Sequence, residues 1–165
     1  MVMKLKFTII VAAATLPLLG ACAITPTPLA SIGPGPAQKA WAGSEGYLQV
    51  FTATQTVDAD FHAYFNVHVG YEIDDASGKT IKYVANHFSD IDESVDTVSL
   101  PPGTYTVVAR STWCGLMKIP VVIEGGGTTS IHLDGNNWWP PSRPAANQLV
   151  FLPNGEAAGW RSTVQ

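Results

Sequence analysis

Residues 64–73 alternate apolar and polar side chains, and this alternation constrains the fold more than any other feature of the chain. The apolar positions that share one side are Phe65, Val67, Val69, Tyr71 and Ile73. A period of two is typical of a half-buried β-strand. The turn-forming residues 74–79 (DDASGK) follow, and an apolar run returns at residues 80–86. The sequence therefore predicts a β-hairpin here.

Further short apolar runs are separated by turn residues along most of the remaining chain. The runs predicted as strands are residues 47–54, 95–100, 105–112, 118–124 and 128–133. Pro120 lies within one of them, which favours an edge position for that strand or an irregularity at its start, because proline lacks a backbone N–H. No amphipathic helix is evident. The pattern predicts an all-β fold, a β-sandwich of about seven strands plus a C-terminal hairpin.

One stretch resembles a known type of domain. Residues 100–110 are LPPGTYTVVAR, residues 119–124 are IPVVIE, and residues 127–129 are GTT before a final strand. Residues 74–134 thereby resemble carboxypeptidase-regulatory-like and PEGA-type domains, although the family's Gly-Tyr is replaced by Trp113–Cys114. The resemblance implies a prealbumin-like or immunoglobulin-like β-sandwich that serves as a structural and binding module, with no catalytic residues.

The C-terminal segment, residues 136–165, combines a Trp/Pro-rich loop with a predicted hairpin. Residues 148–152 and 156–161 form its arms around the turn at residues 153–155. Trp138 and Trp139 lie in the preceding loop. One hypothesis is that both indoles pack the hairpin onto the sandwich. The alternative is an exposed platform that stacks against sugar rings or a partner's side chains, since large exposed apolar patches mark interaction sites.

The N-terminal residues have the order of a secretory signal peptide. Lys4 and Lys6 precede an apolar run at residues 7–19, and small residues follow. A transmembrane helix is less favoured, because the run contains threonines and Pro17 and lacks a charged stop. We predict a signal peptide over residues 1–21.

The end of this signal, Leu19-Gly20-Ala21-Cys22, resembles the lipobox of bacterial lipoproteins. The resemblance implies that Cys22 becomes the N-terminus and carries acyl chains that fix the protein to a membrane. Ala23 follows where an aspartate often specifies inner-membrane retention, which favours the outer membrane of a Gram-negative bacterium. Residues 22–44 are predicted to be a disordered Pro/Gly-rich tether, and residues 45–135 the β-sandwich.

Charge and cysteine content restrict the classes of partner. The formal charge is −4, and loss of Lys4 and Lys6 lowers it to −6. An acidic chain without a basic stripe is not expected to bind nucleic acid. Cys114 is the only cysteine besides Cys22, so a disulfide framework is excluded. Cys114 is expected to be a buried small apolar residue or a thiol for an intermolecular bond.

Two groups of side chains could hold a metal ion. Asp90, Asp92, Glu93 and Asp96 supply carboxylates in one loop. Calcium binding is one hypothesis, and a solvated loop is the alternative. His62, His68 and His87 could converge on zinc, whereas His68 and His132 are otherwise expected on polar strand faces.

No catalytic motif accompanies these groups, so no catalytic residues are predicted and the chain is not expected to be an enzyme. The sequence therefore predicts a lipid-anchored cell-envelope protein whose β-sandwich is a binding or accessory module for another envelope protein or a glycan. One alternative is binding of carbohydrate or peptidoglycan through Trp138 and Trp139. The other is a metal-dependent hydrolase.

Overall fold

The computed structural model describes residues 28–36, 45–59, 63–87, 89 and 91–163. The predicted signal peptide and Cys22 lie outside these residues, as do His62 and Asp90. Over the described ranges the chain is all-β apart from one 3-10 turn at Ala146–Gln148, which confirms the predicted fold class. No helix in this part of the chain is long and apolar enough to cross a membrane.

The strands form three sheets. Their bounds are β1 Ile32–Gly33, β2 Gly46–Phe51, β3 Thr54–Ala59, β4 Ala63–His68, β5 Tyr71–Asp74, β6 Thr80–Val84, β7 Thr97–Leu100, β8 Gly103–Ser111, β9 Gly115–Ile123, β10 Thr128–His132, β11 Leu149–Phe151 and β12 Ala157–Arg161. A seven-stranded sheet has the order β11-β12-β1-β9-β8-β5-β6. A three-stranded sheet has the order β10-β2-β7, and β3 pairs with β4.

The two larger sheets share one hydrophobic core. In β2 and β10 the buried residues Leu48, Val50 and Ile131 alternate with the outward-facing Gln49 and Ser130. The other sheet contributes buried residues that include Ile73, Val107, Ile119 and Val121. Burial of each such side chain contributes about 1.5–3 kcal/mol relative to exposure. The period-two alternation of each sheet therefore decides which of its faces is covered.

The segment predicted as one strand over residues 64–73 divides in two. β4 belongs to the two-stranded sheet and β5 to the seven-stranded sheet, with the break at Gly70. A Cβ at Gly70 would collide with the Tyr83 hydroxyl and the Val84 carbonyl, so only glycine fits at the break between the two strands. The predicted hairpin that follows is confirmed, because β5 and β6 pair antiparallel.

The tether prediction is wrong for the part of residues 28–36 that joins the sheet. β1 pairs antiparallel with β12 and, at Ile32, parallel with Val121 of β9. Ile32 is fully buried. The Pro and Gly residues around Ile32 are typical of a loop, and a strand of two residues is too short to show an alternating pattern. The sequence therefore does not reveal β1. β9 lies between β1 and β8, so the edge alternative for the strand of Pro120 is wrong, although β1 pairs with β9 only at Val121.

The predicted C-terminal hairpin is confirmed. β11 and β12 pair antiparallel, and the turn between them uses Gly155 at φ +89°. β12 also pairs with β1, so the hairpin extends the seven-stranded sheet. Its buried residues Val150, Leu152 and Ala158 belong to the common core. The first and last described strands, β1 and β12, therefore pair in this sheet.

Candidate ligand-binding groove

The outer face of the three-stranded sheet carries both polar and aromatic side chains. β10 and β2 are parallel, and their register places Ser130 beside Gln49 and His132 beside Phe51. The Gln49 side-chain amide donates to Thr97 Oγ1 of the neighbouring β7 at 3.0 Å. This face therefore has a polar middle and an aromatic end.

At the aromatic end, three rings form a continuous stack. The His132 ring lies parallel to Phe51, with centroids 4.5 Å apart and an interplanar angle of 8°. Trp138 stacks on His132 with centroids 4.1 Å apart and an angle of 6°. The loop after β10 thus folds back over its own strand, and the stack fixes the Trp138 indole at the sheet surface.

Trp160 forms the opposite wall. It lies on β12 opposite Gly33 of β1 and is half-buried. A Cβ at Gly35 would lie 2.7 Å from the Trp160 Nε1 atom, so a side chain at this position would displace the indole. Glycine at position 35 therefore lets the N-terminal segment approach the Trp160 indole.

A groove of about 460 Å³ runs between these two walls. Its lining residues are Gly35, Gln49, Phe51, Thr128, Ser130, His132, Trp138, Pro140, Pro141, Ser142 and Trp160. An adjacent groove of about 450 Å³ shares Gly35 and Trp160 and extends past Pro34 and Gln148. Ligand sites typically enclose about 300–1,000 Å³ with apolar walls and a few polar groups, as this groove does.

Burial makes the ring at the centre of the stack a weak base. It lowers the pKa of His132 from 6.5 to about 4, and the nearby Asp134 carboxylate opposes this effect. The imidazole is therefore neutral at pH 7. Among the described residues that line the groove, the basic side chain is therefore an uncharged His132 at pH 7.

The depressed pKa of His132 predicts an acid-sensitive fold. Between pH 6.5 and 4 the unfolded chain takes up a proton that the folded chain does not, so stability falls as the pH falls through this range. A difference of this size costs roughly 2–3 kcal/mol at pH 4.5. We expect His132→Phe, which keeps a ring in the stack, to lose less stability than wild type between pH 7 and 4.5 in urea unfolding. Equal losses in both proteins would contradict this origin.

The two adjacent tryptophans do not form a single platform. Trp138 lines the groove, whereas Trp139 lies beside Phe151 of β11 with ring centroids 5.9 Å apart and an angle of 43°. Trp139 remains 44 % exposed. Trp138 thus packs on the three-stranded sheet and Trp139 on the hairpin, so the two indoles have separate environments.

Among the described residues of the acidic loop, Asp92, Glu93 and Asp96 do not form a group that could hold a metal ion. Asp92 Oδ1 accepts hydrogen bonds from the Ser94 backbone and hydroxyl, and Glu93 Oε1 accepts from the Asn66 backbone N–H at 2.7 Å. The Asp96 backbone N–H donates to the Asn86 side-chain oxygen at 3.3 Å. Asp90 of the predicted calcium group lies outside the described residues.

The histidines likewise have separate partners. His68 is buried, which corrects its predicted position on a polar face, and its Nδ1–H donates to the Thr52 carbonyl at 2.7 Å. His87 Nδ1–H donates to the His68 carbonyl at 3.0 Å. Among the described residues no group of three or more His, Cys, Asp or Glu side chains could hold a metal ion. Cys114 is half-buried against the core.

Sequence reasoning missed most of the groove. It placed Trp160 in a hairpin arm without a role and gave no role to Phe51 or Gly35. The outward positions of the first predicted strand, residues 47, 49 and 51, were the available signal, since they alternate with Leu48 and Val50.

Comparison with protein-family models, with curated proteins and with solved structures gave no match for this chain.

Proposed function

We propose that this chain is a lipid-anchored cell-envelope protein whose all-β domain acts by binding, and that the groove between Trp138 and Trp160 binds a glycan. The observation that carries the proposal is the pairing of two indole walls with a polar floor. The domain needs no catalytic group for this role.

The chemistry of a sugar ring fits both parts of the groove. A pyranose has an apolar C–H face and a polar edge of hydroxyls. Indoles offer large, rigid surfaces for the apolar face, and the side chains of Gln49, Ser130 and Ser142 can donate to or accept from hydroxyls. With neutral His132 in the stack, the aromatic end favours an uncharged ring.

The envelope location is supported by the sequence. The apolar segment at residues 7–19 and Leu19-Gly20-Ala21-Cys22 resemble a lipoprotein signal. Two or more acyl chains hold a protein firmly at a membrane, since each buried methylene contributes about 0.8 kcal/mol. In the outer membrane of a Gram-negative bacterium, the module would lie close to peptidoglycan or surface polysaccharide.

Truncation of the groove wall should weaken glycan retention. We expect Trp138→Ala to weaken binding to purified peptidoglycan sacculi about 30-fold, because a central aromatic anchor is commonly worth about 2 kcal/mol. Co-sedimentation at increasing sacculus concentration measures this. Trp113→Ala is the matched control, since Trp113 is 67 % exposed and does not line the groove.

Two outcomes would count against glycan binding in the groove. One is an equal loss in both variants, which would indicate a non-specific effect of removing tryptophan. The other is wild-type protein that sacculi and capsular or lipopolysaccharide glycans all fail to retain.

The anchor has its own test. We expect Cys22→Ser to prevent acylation and to move the protein from the membrane fraction to the soluble fraction of the envelope. Metabolic labelling with an alkyne-tagged fatty acid checks acylation directly. Labelling of the Cys22→Ser variant, or unchanged membrane fractionation, would exclude lipidation at this residue.

A second candidate function is binding of another envelope protein through the outer face of the seven-stranded sheet. Ile81, Tyr83 and Leu116 are 47 %, 66 % and 70 % exposed. Tyr83 and Leu116 also line one groove of about 430 Å³ together with Arg110. Crosslinking in cells tests this candidate. A protein adduct that is lost in Tyr83→Ser but kept in Trp138→Ala would favour it over glycan binding.

A further inference from the structure

An apolar surface surrounds the point where the described N-terminal segment begins. Pro28, Leu29 and Ala30 line a groove with Phe151, Leu152 and Pro153. Trp139 adjoins it through its contact with Phe151. Pro28 and Pro153 are exposed and Leu29 and Phe151 are half-buried, so apolar atoms remain open to the surroundings.

The length of chain between this surface and Cys22 is short. Six residue steps separate Cys22 from Pro28. Even a fully extended chain spans at most about 3.6 Å per residue, or about 22 Å. Because β1 incorporates Ile32 and Gly33 into the sheet, most of the predicted tether does not add to the distance between the membrane and the folded domain. An acylated Cys22 therefore keeps Pro28 within about 22 Å of the lipid surface.

We propose that this surface, the anchor face, contacts the lipid bilayer when Cys22 is acylated. The anchor face consists of Pro28, Leu29, Trp139, Phe151 and Pro153. The inference rests on the lipid anchor proposed above, and it adds an orientation: the hairpin edge of the seven-stranded sheet faces the membrane.

The side chains of the anchor face suit a bilayer interface. Tryptophan is enriched at the level of the lipid headgroups, where its ring is half in apolar and half in polar surroundings. Trp139 is 44 % exposed at this edge. Among the described residues that line this groove, the charged side chain is that of Arg161. Its positive charge favours contact with lipid phosphates. A membrane contact would cover the apolar atoms that water otherwise meets.

The opposite edge of the same sheet provides a control. β6 is the last strand at that edge, whereas β11 is the last strand at the anchor face. Tyr83 of β6 is 66 % exposed. An indole introduced there would lie across the whole width of the seven-stranded sheet from Trp139.

Fluorescence quenching by brominated lipid tests the contact. The acylated mature protein is reconstituted into phosphatidylcholine vesicles with bromine on the upper acyl-chain carbons, and sedimentation confirms that it is bound. We expect Trp139→Phe to lose most of the lipid-dependent quenching seen in wild type, because phenylalanine keeps the apolar contact but removes the reporter. Tyr83→Trp added to Trp139→Phe should not restore it.

The outcomes separate this inference from the anchor. Vesicle-bound Trp139→Phe with wild-type quenching would overturn the anchor face while leaving the lipid anchor intact. Full restoration by Tyr83→Trp would also overturn it, since both edges would then meet lipid. Wild-type protein that sediments no better than Cys22→Ser would contradict the lipid anchor itself, and the anchor face with it.

Discussion

Replacement of Ile32 by alanine is expected to lower the free energy of unfolding by about 3 kcal/mol, in the range measured for truncation of buried isoleucines. Ile32 is fully buried between β9 and β12. Its side chain also approaches β12 closely, because a Cβ at Gly159 would lie 2.7 Å from Ile32 Cγ2. A cavity here would weaken the contact of β1 with the core.

The measurement is urea unfolding of the mature chain with Cys22→Ser, which keeps the protein soluble. Ile24→Ala is the matched control: if residues before Pro28 act as a tether, it should change stability by less than about 0.5 kcal/mol. A similarly small effect of Ile32→Ala would mean that β1 is not part of the cooperative fold.

The second large effect is expected at Asn86. This residue is fully buried and has a φ of +70°, a conformation that costs most side chains about 1 kcal/mol or more. Its amide donates to the Val50 carbonyl at 2.9 Å and to Thr52 Oγ1 at 3.1 Å. Its side-chain oxygen accepts from the Asp96 N–H. Asn86 thereby links the end of β2 to the loop that enters β7.

Asn86→Ala should cost about 3 kcal/mol, since it removes buried hydrogen bonds and places alanine in a left-handed conformation that asparagine adopts more readily. Glycine tolerates that conformation, so Asn86→Gly should cost less. The difference between the two variants measures the backbone strain, and the cost that remains in Asn86→Gly reflects the lost amide. Asn137 at φ 49° is exposed, so Asn137→Ala should cost only about 1 kcal/mol. Thermal unfolding compares the three. An equal cost at both asparagines would contradict the role assigned to the Asn86 amide.

Periodicity in the sequence accounts for much of the fold. The alternating runs, the DDASGK turn and the PNG turn at residues 153–155 predicted hairpins that the structure contains. The assignment failed where the pattern is too short or spans two sheets. β1 has only two residues, and the alternation of residues 64–73 continues across Gly70 although the chain changes sheets there. Except where a tight turn joins two strands, local sequence does not specify which strands pair.

The groove could be predicted only in part for the same reason. Its residues come from β2, β10, β12, the N-terminal segment and the loop after β10, and only the fold brings them together. Aromatic content identified Trp138 and Trp139 as candidates. It could not show that Trp138 would stack on His132 while Trp139 would lie against Phe151.

The most direct test of glycan binding in the groove follows the indole N–H signals of the ¹⁵N-labelled mature domain during titration with soluble peptidoglycan fragments. The signals of Trp138 and Trp160 should shift together along one saturable curve, while that of the exposed Trp113 stays in place. Shifts confined to Trp113, or no saturable shift of either groove indole, would contradict the proposed function.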